Sequence, residues 1–548
     1  MASDYVVGFV SVRYMRKVMQ HGKERRIRNS SGKRQERPRF CTARPTVKKG
    51  LSTMNKSTTN GTHAMTRRTL LGGSVALGLG AAAAALAGCS QTNDTPSKET
   101  AAANASNDNG GALPHDNSYL DSTDLEDRVD KVWDITFNDA YPHGNKGMGC
   151  VALAVKDGKV IFEKAYGHAY EYDADYNADG STYANPVYKQ IDEPRAMTTD
   201  TLFDLASCTK VMATTQSIMM LVDQDKINVD DLVADYLPGF ERNGKGSITL
   251  AQLLTHSSGL PQWEPTYLYC NSREEQLEYI KNLSLDPTFK TDGSEPKYSD
   301  FSFMTLGFVV EAVTGQPMEE FVKENVYKPL QMDSTGYLPL QNGFSKDQIA
   351  ATSLGNPYEY RMIDEANWPD VGYDCTKYAD AFAAFDGWRR YTLIGEVNDG
   401  NAGMGGQGVA GHAGLFSTAD DLAILLQLMC NGGEYGGVRL YSKDTVKLFT
   451  TKHTSYAEAH DGKLSYEFGY GFKLDQSWMG ESATEACYGH DGFTGNTLFV
   501  DPDHKYIFIC LSNKMQAGFR DSDNSAYYNT NANLSLNMNE AVRGVLGI

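Results

Sequence analysis

The chain has 548 residues, which is long enough for a large core or for more than one domain. Its hydrophobic content of 41% and its aromatic content of 11% are typical of a globular enzyme. The formal net charge is -18, but residues 1–68 contain 17 Lys+Arg and 3 Asp+Glu, so the rest of the chain carries -32. Such an acidic body argues against a nucleic-acid partner, and it gives no electrostatic reason to bind an anionic surface.

A short apolar segment has the pattern of an export signal. Thr66-Arg67-Arg68-Thr69 precedes a Gly/Ala-rich stretch from Leu70 to Leu86, which resembles a twin-arginine signal. The stretch ends in Leu86-Ala87-Gly88-Cys89, which resembles a bacterial lipobox, where the cysteine is lipidated. A transmembrane helix is the alternative, but 17 weakly hydrophobic residues are at the short limit for spanning. We therefore expect export and a lipid anchor on Cys89 at the outer face of the bacterial cytoplasmic membrane.

The position of this signal divides the chain into four regions. A signal belongs near an N-terminus, and a start at Met54 or Met65 would give it a conventional length. The basic stretch upstream has no helix or strand period, which favours an overextended start over a nucleic-acid-binding arm. The residues after the signal are rich in Ser, Thr, Asn, Asp and Ala, the composition of a flexible tether. The regions are an upstream extension (1–64), the signal (65–89), the linker (90–118) and the folded domain (119–548).

Hydrophobic periodicity within the domain predicts its helices and strands. A helix is expected over 122–139, followed by a hairpin whose strands, 150–155 and 160–166, flank Asp157-Gly158. The later predicted elements are a helix from Ser207 to about Asp225, a helix at 304–313, a hairpin of 497–500 with 506–512, and a final helix at 534–546. Strands at both ends with helices between them indicate an α/β (α+β) fold. One antiparallel sheet is built from both termini, is flanked by helices, and has a mainly helical region inserted.

The nine cysteines are scattered, without a CxxC pair or a histidine spacing typical of zinc. Apart from Cys89, to which the lipobox pattern assigns a lipid, we interpret them as buried or free thiols and predict no metal site. They are Cys41, Cys89, Cys150, Cys208, Cys270, Cys375, Cys430, Cys487 and Cys510.

Ser207 and Lys210 lie three residues apart after an apolar run and would share one face of a helix. A serine hydroxyl becomes a good nucleophile when a base takes its proton, and a desolvated lysine can be that base. The spacing alone is weak evidence, because Ser30…Lys33 and Ser294…Lys297 have it too. The former lies in a basic, unpatterned stretch, and Pro296 within the latter argues against a helical turn.

Two further segments carry candidate groups for the same chemistry. Tyr298-Ser299-Asp300 precedes an apolar helix, where a phenol can project into a cleft and shuttle a proton. The run from Tyr488 to Gly495 holds His490 among glycines, which allow close backbone approach at a strand edge. Backbone N–H groups of such an edge can stabilise an oxyanion. For Tyr298 or His490 taken alone, a purely structural role is the alternative.

Taken together, Ser-x-x-Lys, Tyr-Ser-Asp and His-x-Gly in this order resemble the serine β-lactamase / penicillin-binding-protein superfamily, and most closely its class C β-lactamase-like branch. The resemblance covers roughly residues 120–548. Gly395-Glu396-Val397-Asn398-Asp399, followed by Met404-Gly405-Gly406, is similar to the penicillin-binding protein 4B-type D-alanyl-D-alanine carboxypeptidases/esterases. Other segments that fit the branch are 253–261 and 411–417.

This resemblance implies a β-lactamase/transpeptidase-like fold and a set of site residues. Ser207 would attack a carbonyl and become acylated, Lys210 would take its proton, and Tyr298 would protonate the leaving group. The backbone N–H groups of Ser207 and Phe493 would hold the oxyanion. Three residues would contact the substrate: Asp300, His490 and Gly492. Neither a cofactor nor a metal is required.

Two residues depart from the usual motifs of the superfamily. The second motif often ends in Asn, but here it ends in Asp300, whose ionised carboxylate cannot donate a hydrogen bond and can instead pair with Lys210. The third motif often begins with Lys, but here it begins with His490. A neutral imidazole holds a C-terminal carboxylate less firmly than an ammonium group.

Several other residues near these motifs can have either a structural or a functional role. His256 is expected to be structural and Cys208 to be a packing residue. Ser417 has the spacing of a helix N-cap, with Asp420 completing a capping box. The roles of His412, Glu396 and Asp399 stay open between the cleft and loop anchoring.

The sequence therefore predicts an exported serine hydrolase that forms an acyl-enzyme on Ser207. Its most strongly indicated activity is D-alanyl-D-alanine carboxypeptidase-type cleavage of cell-wall peptides, so its expected partner is a small peptide or ester substrate, including peptidoglycan stem peptides. The alternatives are an esterase or β-lactamase on the same scaffold and, from another class, a non-catalytic penicillin-binding or sensor module.

Overall fold

The structure is a computed structural model. It describes residues 110–138, 148–176, 186–287, 296–363, 375–457, 465–474, 476–517 and 534–548. The expected signal, its Cys89 and most of the expected linker lie outside these residues. Across the described ranges, none of the helices combines the length and the apolar character that crossing a bilayer requires.

Strands occur at both ends of the described chain. They are β1 (Gly149–Lys156), β2 (Lys159–Asp175), β3 (Val187–Ala196), β4 (Phe203–Asp204), β5 (Gly336–Tyr337), β6 (Ala351–Leu354), β7 (Thr392–Ile394), β8 (Leu415–Ser417), β9 (Glu434–Tyr435), β10 (Val438–Arg439), β11 (Thr454–Ala457), β12 (Ser465–Phe468), β13 (Lys473–Leu474), β14 (Tyr488–Asp491), β15 (Thr497–Asp501) and β16 (Tyr506–Ser512).

Helices fill most of the sequence between β3 and β11. The α-helices are α1 (Ser118–Ser122), α2 (Leu125–Asn138), α3 (Thr215–Asp223), α4 (Val233–Tyr236), α5 (Leu250–Leu254), α6 (Arg273–Asn282), α7 (Asp300–Thr314), α8 (Met318–Val322), α9 (Pro357–Ile363), α10 (Ala379–Ala384), α11 (Ala419–Cys430), α12 (Lys443–Thr450) and α13 (Leu534–Leu546). A 3₁₀ turn (Ala206–Cys208) and a π-helical turn (Lys210–Thr214) lead into α3.

The main sheet joins the two ends of the domain, as predicted. In the described residues its strand order is β11-β12-β13-β14-β15-β16-β1-β2-β3, and its neighbours pair antiparallel. The N-terminal and C-terminal strands meet where β1 pairs with β16, and Leu153 lies opposite Ile509 in this pair. Asp157-Gly158 forms the expected two-residue turn between β1 and β2. The predicted fold class is therefore confirmed.

Both faces of the sheet are covered, because its central strands alternate between two apolar cores. Val151, Leu153 and Val155 of β1 face the larger core, to which α3 and α11 contribute. The intervening residues of β1 face a second core, in which Leu125 of α2 and Met538 of α13 are buried. The sheet thus lies between the inserted helices and the two terminal helices.

The packed chain begins before residue 119, where composition placed the domain boundary. The backbone N–H of Gly110 donates to Gly436 and that of Gly111 to Leu330. The Leu113 side chain is buried, and Asp116 donates its N–H to Val160 of β2. The last residues of the predicted linker therefore pack against the domain.

The predicted cap of α11 is displaced by one residue. Ser417 is the last residue of β8, and its hydroxyl bonds that of Thr335 at 2.7 Å. Thr418 is the N-cap instead, because its side chain accepts the N–H of Asp421. The expectation that Ser417 caps the helix was therefore wrong; the strand extends one residue further than the spacing indicated.

A buried ion pair fastens α13 to the sheet. Arg543 is 1% exposed and Asp501 of β15 is 0% exposed, and a guanidinium nitrogen lies 2.7 Å from the carboxylate. The guanidinium also lies over the Tyr506 ring, 4.9 Å from its centroid. Burial raises the pKa of Asp501, but hydrogen bonds from Arg543, His504 and Thr484 outweigh it and hold the pKa at about 2.

We predict that Arg543→Met lowers the free energy of unfolding at neutral pH by about 3–5 kcal/mol, because Asp501 stays buried without its partner. The folded pKa of Asp501 is below its unfolded value. Its contribution is therefore present above about pH 4 and is lost as the pH falls towards about 2. The stability of the variant should fall less over that range. Urea unfolding at about pH 7, 4 and 2.5 measures both effects.

The matched control is Arg128→Met on α2. Arg128 pairs with Asp124 at 2.8 Å, but both side chains are more than half exposed. This change should cost at most about 0.5 kcal/mol. Equal losses in the two variants would contradict the role given to the Arg543 pair.

Candidate active site

Ser207 lies on a sharp turn directly after β4. Ala206 has a φ of 44°, a left-handed conformation that costs about 1–2 kcal/mol for a residue with a Cβ. The turn is held by Asp204, whose carboxylate accepts the Ala206 N–H at 2.9 Å. Ser207 is partly exposed, whereas Ala206 and Cys208 are buried. Local strain that points a hydroxyl outward is a frequent feature of functional sites.

Asp204 also ties this turn to the loop that follows β14. Its backbone carbonyl accepts the Thr494 hydroxyl and the Asn496 amide, both at 2.8 Å. Its carboxylate accepts the Asn398 N–H at 2.7 Å as well. Burial raises the pKa of this carboxyl to about 6, and the two backbone N–H groups oppose the shift. Three distant segments therefore meet around one buried aspartate.

Lys210 is fully buried and its side-chain nitrogen faces three acceptors. Nζ lies 3.0 Å from Ser207 Oγ, 2.7 Å from Asp300 Oδ1 and 3.1 Å from the His412 carbonyl. The lysine begins the π-helical turn that leads into α3. The expected pairing of Asp300 with Lys210 is present.

This set of partners suits both protonation states of Lys210. The Asp300 carboxylate and the His412 carbonyl can only accept hydrogen bonds. A neutral amine would give its two hydrogens to them and turn its lone pair toward the Ser207 hydroxyl, whereas an ammonium group would donate to all three. A proton can therefore move between Ser207 and Lys210 without any other rearrangement.

Tyr298 lies on the other side of the serine, immediately before α7. Its phenol lies close enough to Ser207 for the serine to lower its pKa, and its ring centroid lies 5.0 Å from Lys210 Nζ. Ser299 caps α7 by accepting the Ser302 N–H, which fixes the direction in which the tyrosine leaves the helix. Burial, and then the Asp300 carboxylate, raise the pKa of Tyr298 well above its ordinary value. The phenol is therefore neutral and able to donate a proton.

His256 packs against the ring of Tyr298. Its ring centroid lies 4.4 Å from that of Tyr298, and Nδ1 accepts the Ser299 N–H at 3.0 Å. Burial, followed by the nearby Lys210 charge, holds the pKa of His256 well below its ordinary range. The ring is thus neutral, with its hydrogen on Nε2. These contacts agree with the structural role expected of it.

His412 and Asp399 form a buried pair next to Lys210. His412 Nε2 lies 2.9 Å from Asp399 Oδ1, which also accepts the Ala402 N–H at 2.8 Å. The His412 ring is 1% exposed, so this residue reaches the site through its backbone carbonyl. Side-chain atoms of Asp300, Asp399 and His412 lie within 4.8 Å of one another, close enough to share a cation. In this structure the Lys210 amine occupies one side of that group.

Glu396, the other open residue of the same segment, bonds the Tyr391 hydroxyl at 2.7 Å. This contact and the Asp399–His412 pair show that both acidic residues anchor loops.

Cys208 is buried, and its thiol donates to the His490 carbonyl at 3.7 Å, in agreement with a packing role. Of the two other Ser-x-x-Lys spacings, Ser30…Lys33 and Ser294 lie outside the described residues, and Lys297 pairs with Asp286.

His490 lies on β14 but is 0% exposed. Its Nδ1 lies 2.7 Å from the Asp491 carbonyl and therefore carries the hydrogen. Burial and the Lys473 charge lower the pKa of His490 to about 3, so the ring is neutral. Its centroid is 6.2 Å from that of Tyr298. The histidine therefore packs beside the site and brings no positive charge to it.

Gly492 and Phe493 bring the end of β14 against the nucleophile turn. A Cβ on Gly492 would lie 2.6 Å from the Leu205 carbonyl oxygen, so only glycine permits this approach. Phe493 follows at once, 40% exposed, with its ring 4.8 Å from that of Tyr358. The nucleophile turn and the loop that carries Phe493 are thus in contact, and the oxyanion role of the Ser207 and Phe493 N–H groups stays a prediction. Gly492 itself contacts the protein backbone.

Lys473 is a site residue that the sequence did not reveal. It lies on β13 opposite Gly489 of β14, and its Nζ contacts the Asp491 carboxylate. The same nitrogen lies 5.5 Å from the Tyr298 ring centroid. β13 has only two residues, so its alternation is too short to predict which strand it joins.

A serine on a strained turn, a buried lysine and a neutral tyrosine thus converge where the inserted helices meet an antiparallel sheet, the architecture of a β-lactamase/transpeptidase-like hydrolase. The Beta-lactamase family model matches residues 137–532, and the chain belongs to that family. The resemblance stated from the motifs is thereby confirmed.

Individual relatives carry several names. The "Putative D-alanyl-D-alanine carboxypeptidase" of Escherichia coli (strain K12) is 36% identical over 381 residues, which cover 66% of this chain and 77% of that protein. The "N-acetylmuramyl-L-alanine amidase" of Bacillus subtilis (strain 168) is also 36% identical over 381 residues, 67% of this chain and 77% of that one. The crystal structure of a family VIII carboxylesterase has a TM-score of 0.54 at 19% identity and covers 79% of this chain and 98% of that chain, a likeness of fold alone.

We predict that Asp300→Asn lowers the free energy of unfolding by about 3–5 kcal/mol, because the buried Lys210 charge loses its ion-pair partner. The double variant Lys210→Met/Asp300→Asn should regain part of this loss, since it leaves no charge to compensate. Urea unfolding of the wild type, the single variant and the double variant measures the difference. Equal losses in both variants would show that the pair does not hold the lysine.

Proposed function

We propose that the protein is a serine hydrolase that works through an acyl-enzyme on Ser207 and removes the last residue of cell-wall peptides ending in D-Ala-D-Ala. The observation that carries this proposal is the placement of Ser207 Oγ, 3.0 Å from the amine of the buried Lys210 and beside the phenol of Tyr298. Membership of the Beta-lactamase family supports acyl transfer, and the name of the E. coli relative supports the choice of peptide.

In the acylation step, the form of Lys210 that has given one proton to solvent takes the proton of Ser207 as Oγ forms a bond to the carbonyl carbon. The carbonyl oxygen becomes an oxyanion between the backbone N–H groups of Ser207 and Phe493. Removal of one such donor typically costs a factor of about 10²–10³ in rate. Asp204 accepts the Ala206 N–H on one side and hydrogen bonds from the Thr494 and Asn496 side chains on the other, so the nucleophile turn and the loop after β14 are held together before the reaction.

Collapse of the intermediate breaks the C–N bond, and neutral Tyr298 gives its proton to the departing amine. The Lys210 ammonium then returns a proton to the Tyr298 oxygen, so the pair ends uncharged. Water next attacks the ester carbonyl, with its proton taken by the same groups, and Ser207 leaves as the hydroxyl. The products are the shortened peptide acid and one free amino acid.

A second candidate bond is the amide between a muramyl lactyl group and L-Ala. It is favoured by the name of the B. subtilis relative, which matches as much of this chain at the same identity. Ester or β-lactam substrates would use the same acylation step. A non-catalytic binding module would not need a serine, lysine and tyrosine in mutual contact.

We predict that a peptide ending in D-Ala-D-Ala and a fluorescent penicillin both acylate the wild-type protein, and that Ser207→Ala abolishes both reactions because the bond-forming oxygen is gone. Mass spectrometry locates the acyl group, and release of D-Ala reports turnover. Ser122→Ala, at an exposed position of α1, is the matched control and should behave as the wild type.

The outcomes separate the candidates. Labelling of Ser207 with rapid turnover of short esters, but without D-Ala release, would show that the protein is an esterase and not a carboxypeptidase. Release of L-Ala peptides from muramyl substrates would favour the amidase. Identical behaviour of the wild type and Ser207→Ala in every assay would contradict the proposal that the protein is a serine hydrolase.

We also propose that the chain is exported and held at the membrane by a lipid on Cys89, because Leu86-Ala87-Gly88-Cys89 has the lipobox pattern. Cys89→Ser should move the protein from the membrane fraction to the soluble fraction and remove the acyl mass from its N-terminal peptide. Cys430→Ser is the control, since this cysteine lies on α11 of the folded domain, outside the signal. A Cys89→Ser protein that stays in the membrane fraction would contradict the anchor.

A further inference from the structure

A carboxylate on the main sheet has one buried oxygen without a hydrogen-bond partner. Glu163 of β2 lies opposite Leu153 of β1, and cross-strand neighbours point to the same face of a sheet, here the face of the larger core. The Glu163 side chain is 11% exposed, and in the described part of the chain nothing donates a hydrogen bond to its buried Oε1. A buried carboxylate oxygen is costly unless a donor or a cation reaches it.

Two further side chains of the kinds that bind metals lie beside this carboxylate. Asp420 comes from the first turn of α11, and His115 comes from the stretch that precedes α1. One donor atom from each of the three residues lies within 4.8 Å of the donor atoms of the other two. His115 Nε2 is 4.0 Å from Glu163 Oε2, which is too long for a hydrogen bond. Three donor atoms from three separate segments therefore meet in one place.

The cluster carries negative charge that its surroundings do not neutralise. Among the described residues, neither Glu163 nor Asp420 has a lysine or an arginine within 4.0 Å. Lys159, on the same strand as Glu163, pairs instead with Asp116 at 3.2 Å. Burial, and then the Asp420 charge, raise the pKa of Glu163 to about 7. Burial also raises the pKa of Asp420, and His115 opposes that shift. A divalent cation would supply the missing positive charge.

We propose that His115, Glu163 and Asp420 bind one Zn²⁺ ion, with water in the fourth position. Zinc accepts imidazole and carboxylate ligands at bonds of about 2.0–2.2 Å, whereas calcium and magnesium prefer oxygen ligands alone. A tetrahedron with such bonds has edges of about 3.3 Å. His115 is half-exposed, so rotation of its side chain can close the remaining distance. The spacing of the cysteines does not reveal this site, because it contains none of them.

The ion would fasten the stretch before α1 to the domain. His115 forms a parallel bridge with Val160 of β2, and the Val160 N–H donates to the Pro114 carbonyl at 2.9 Å. Leu113 of the same stretch is buried in the larger core. These residues are the end of the predicted linker, so the metal would join the linker to β2 and to α11. This role is independent of the proposed hydrolase activity.

The test measures Zn²⁺ binding by calorimetry to the full-length protein, which carries no affinity tag and has been stripped with a chelator. The wild type should bind Zn²⁺ more tightly than Ca²⁺ or Mg²⁺. His115→Ala, Glu163→Gln and Asp420→Asn should each weaken Zn²⁺ binding by at least about 10- to 100-fold, the loss typical even of residues that only support a ligand. His168→Ala is the matched control and should bind as the wild type. His168 is 41% exposed and lies 3.0 Å from Glu171, but in the described residues it belongs to no such cluster.

A second measurement tests the fastening. Zn²⁺ at about 100 times its Kd should raise the Tm of the wild type by about 3 °C and slow hydrogen exchange at the N–H groups of Asp116 and Val160. Metal-free Glu163→Gln should melt no lower than the metal-free wild type, because the change removes a buried charge, so its lost binding cannot be ascribed to misfolding.

Three results would overturn the site: no Zn²⁺ binding by the wild type, tighter binding of Ca²⁺ than of Zn²⁺, or an unchanged Zn²⁺ affinity in all three variants. Hydrogen exchange that is the same with and without bound Zn²⁺ would overturn its fastening role.

Discussion

The structure depends on keeping the amine of Lys210 entirely out of water while it remains in contact with Ser207. A buried ammonium group is costly unless it is paired and its hydrogens are accepted. Asp300 at 2.7 Å and the His412 carbonyl at 3.1 Å meet this requirement, and they leave one direction for the serine. Asp300 therefore has two roles. It compensates the cost of burying the lysine, and it orients the Lys210 amine so that one hydrogen or the nitrogen lone pair faces Ser207.

Holding these groups requires contributions from both parts of the domain. The inserted helices supply Lys210 and Asp300, and the segment before β8 supplies the His412 carbonyl. The sheet supplies Gly492 and the backbone of Phe493. Asp204 joins the two parts, because one residue bonds the Ala206 turn, the Asn398 backbone and the loop after β14. The strain at Ala206 can persist because the surroundings fix it from several directions.

Local patterns predicted the features of this structure that are themselves local. The β1–β2 hairpin, the helix from Leu534 to Leu546 and the sheet built from both termini follow from turn residues and periodicity. Ser417 shows the limit of such patterns: its spacing suits a cap equally well at position 417 or 418, and pairing of β8 with β5 decides between them. Lys473 was missed for a stronger reason, since its place beside His490 depends on the pairing of a two-residue strand, which no local pattern records.

The third motif illustrates how a sheet can conserve charge while its sequence changes. At position 490 the chain has a neutral histidine, whose Nδ1 bonds the backbone and whose surroundings exclude a proton. The cations that act on His490 are Lys473, on the neighbouring strand β13, and Lys210. Because neighbouring strands lie about 5 Å apart, a lysine on β13 can bring its amine to the same edge that a lysine on β14 would reach. Comparison of motifs along one strand therefore underestimates the positive charge at this site, which depends on β13 as well as on β14.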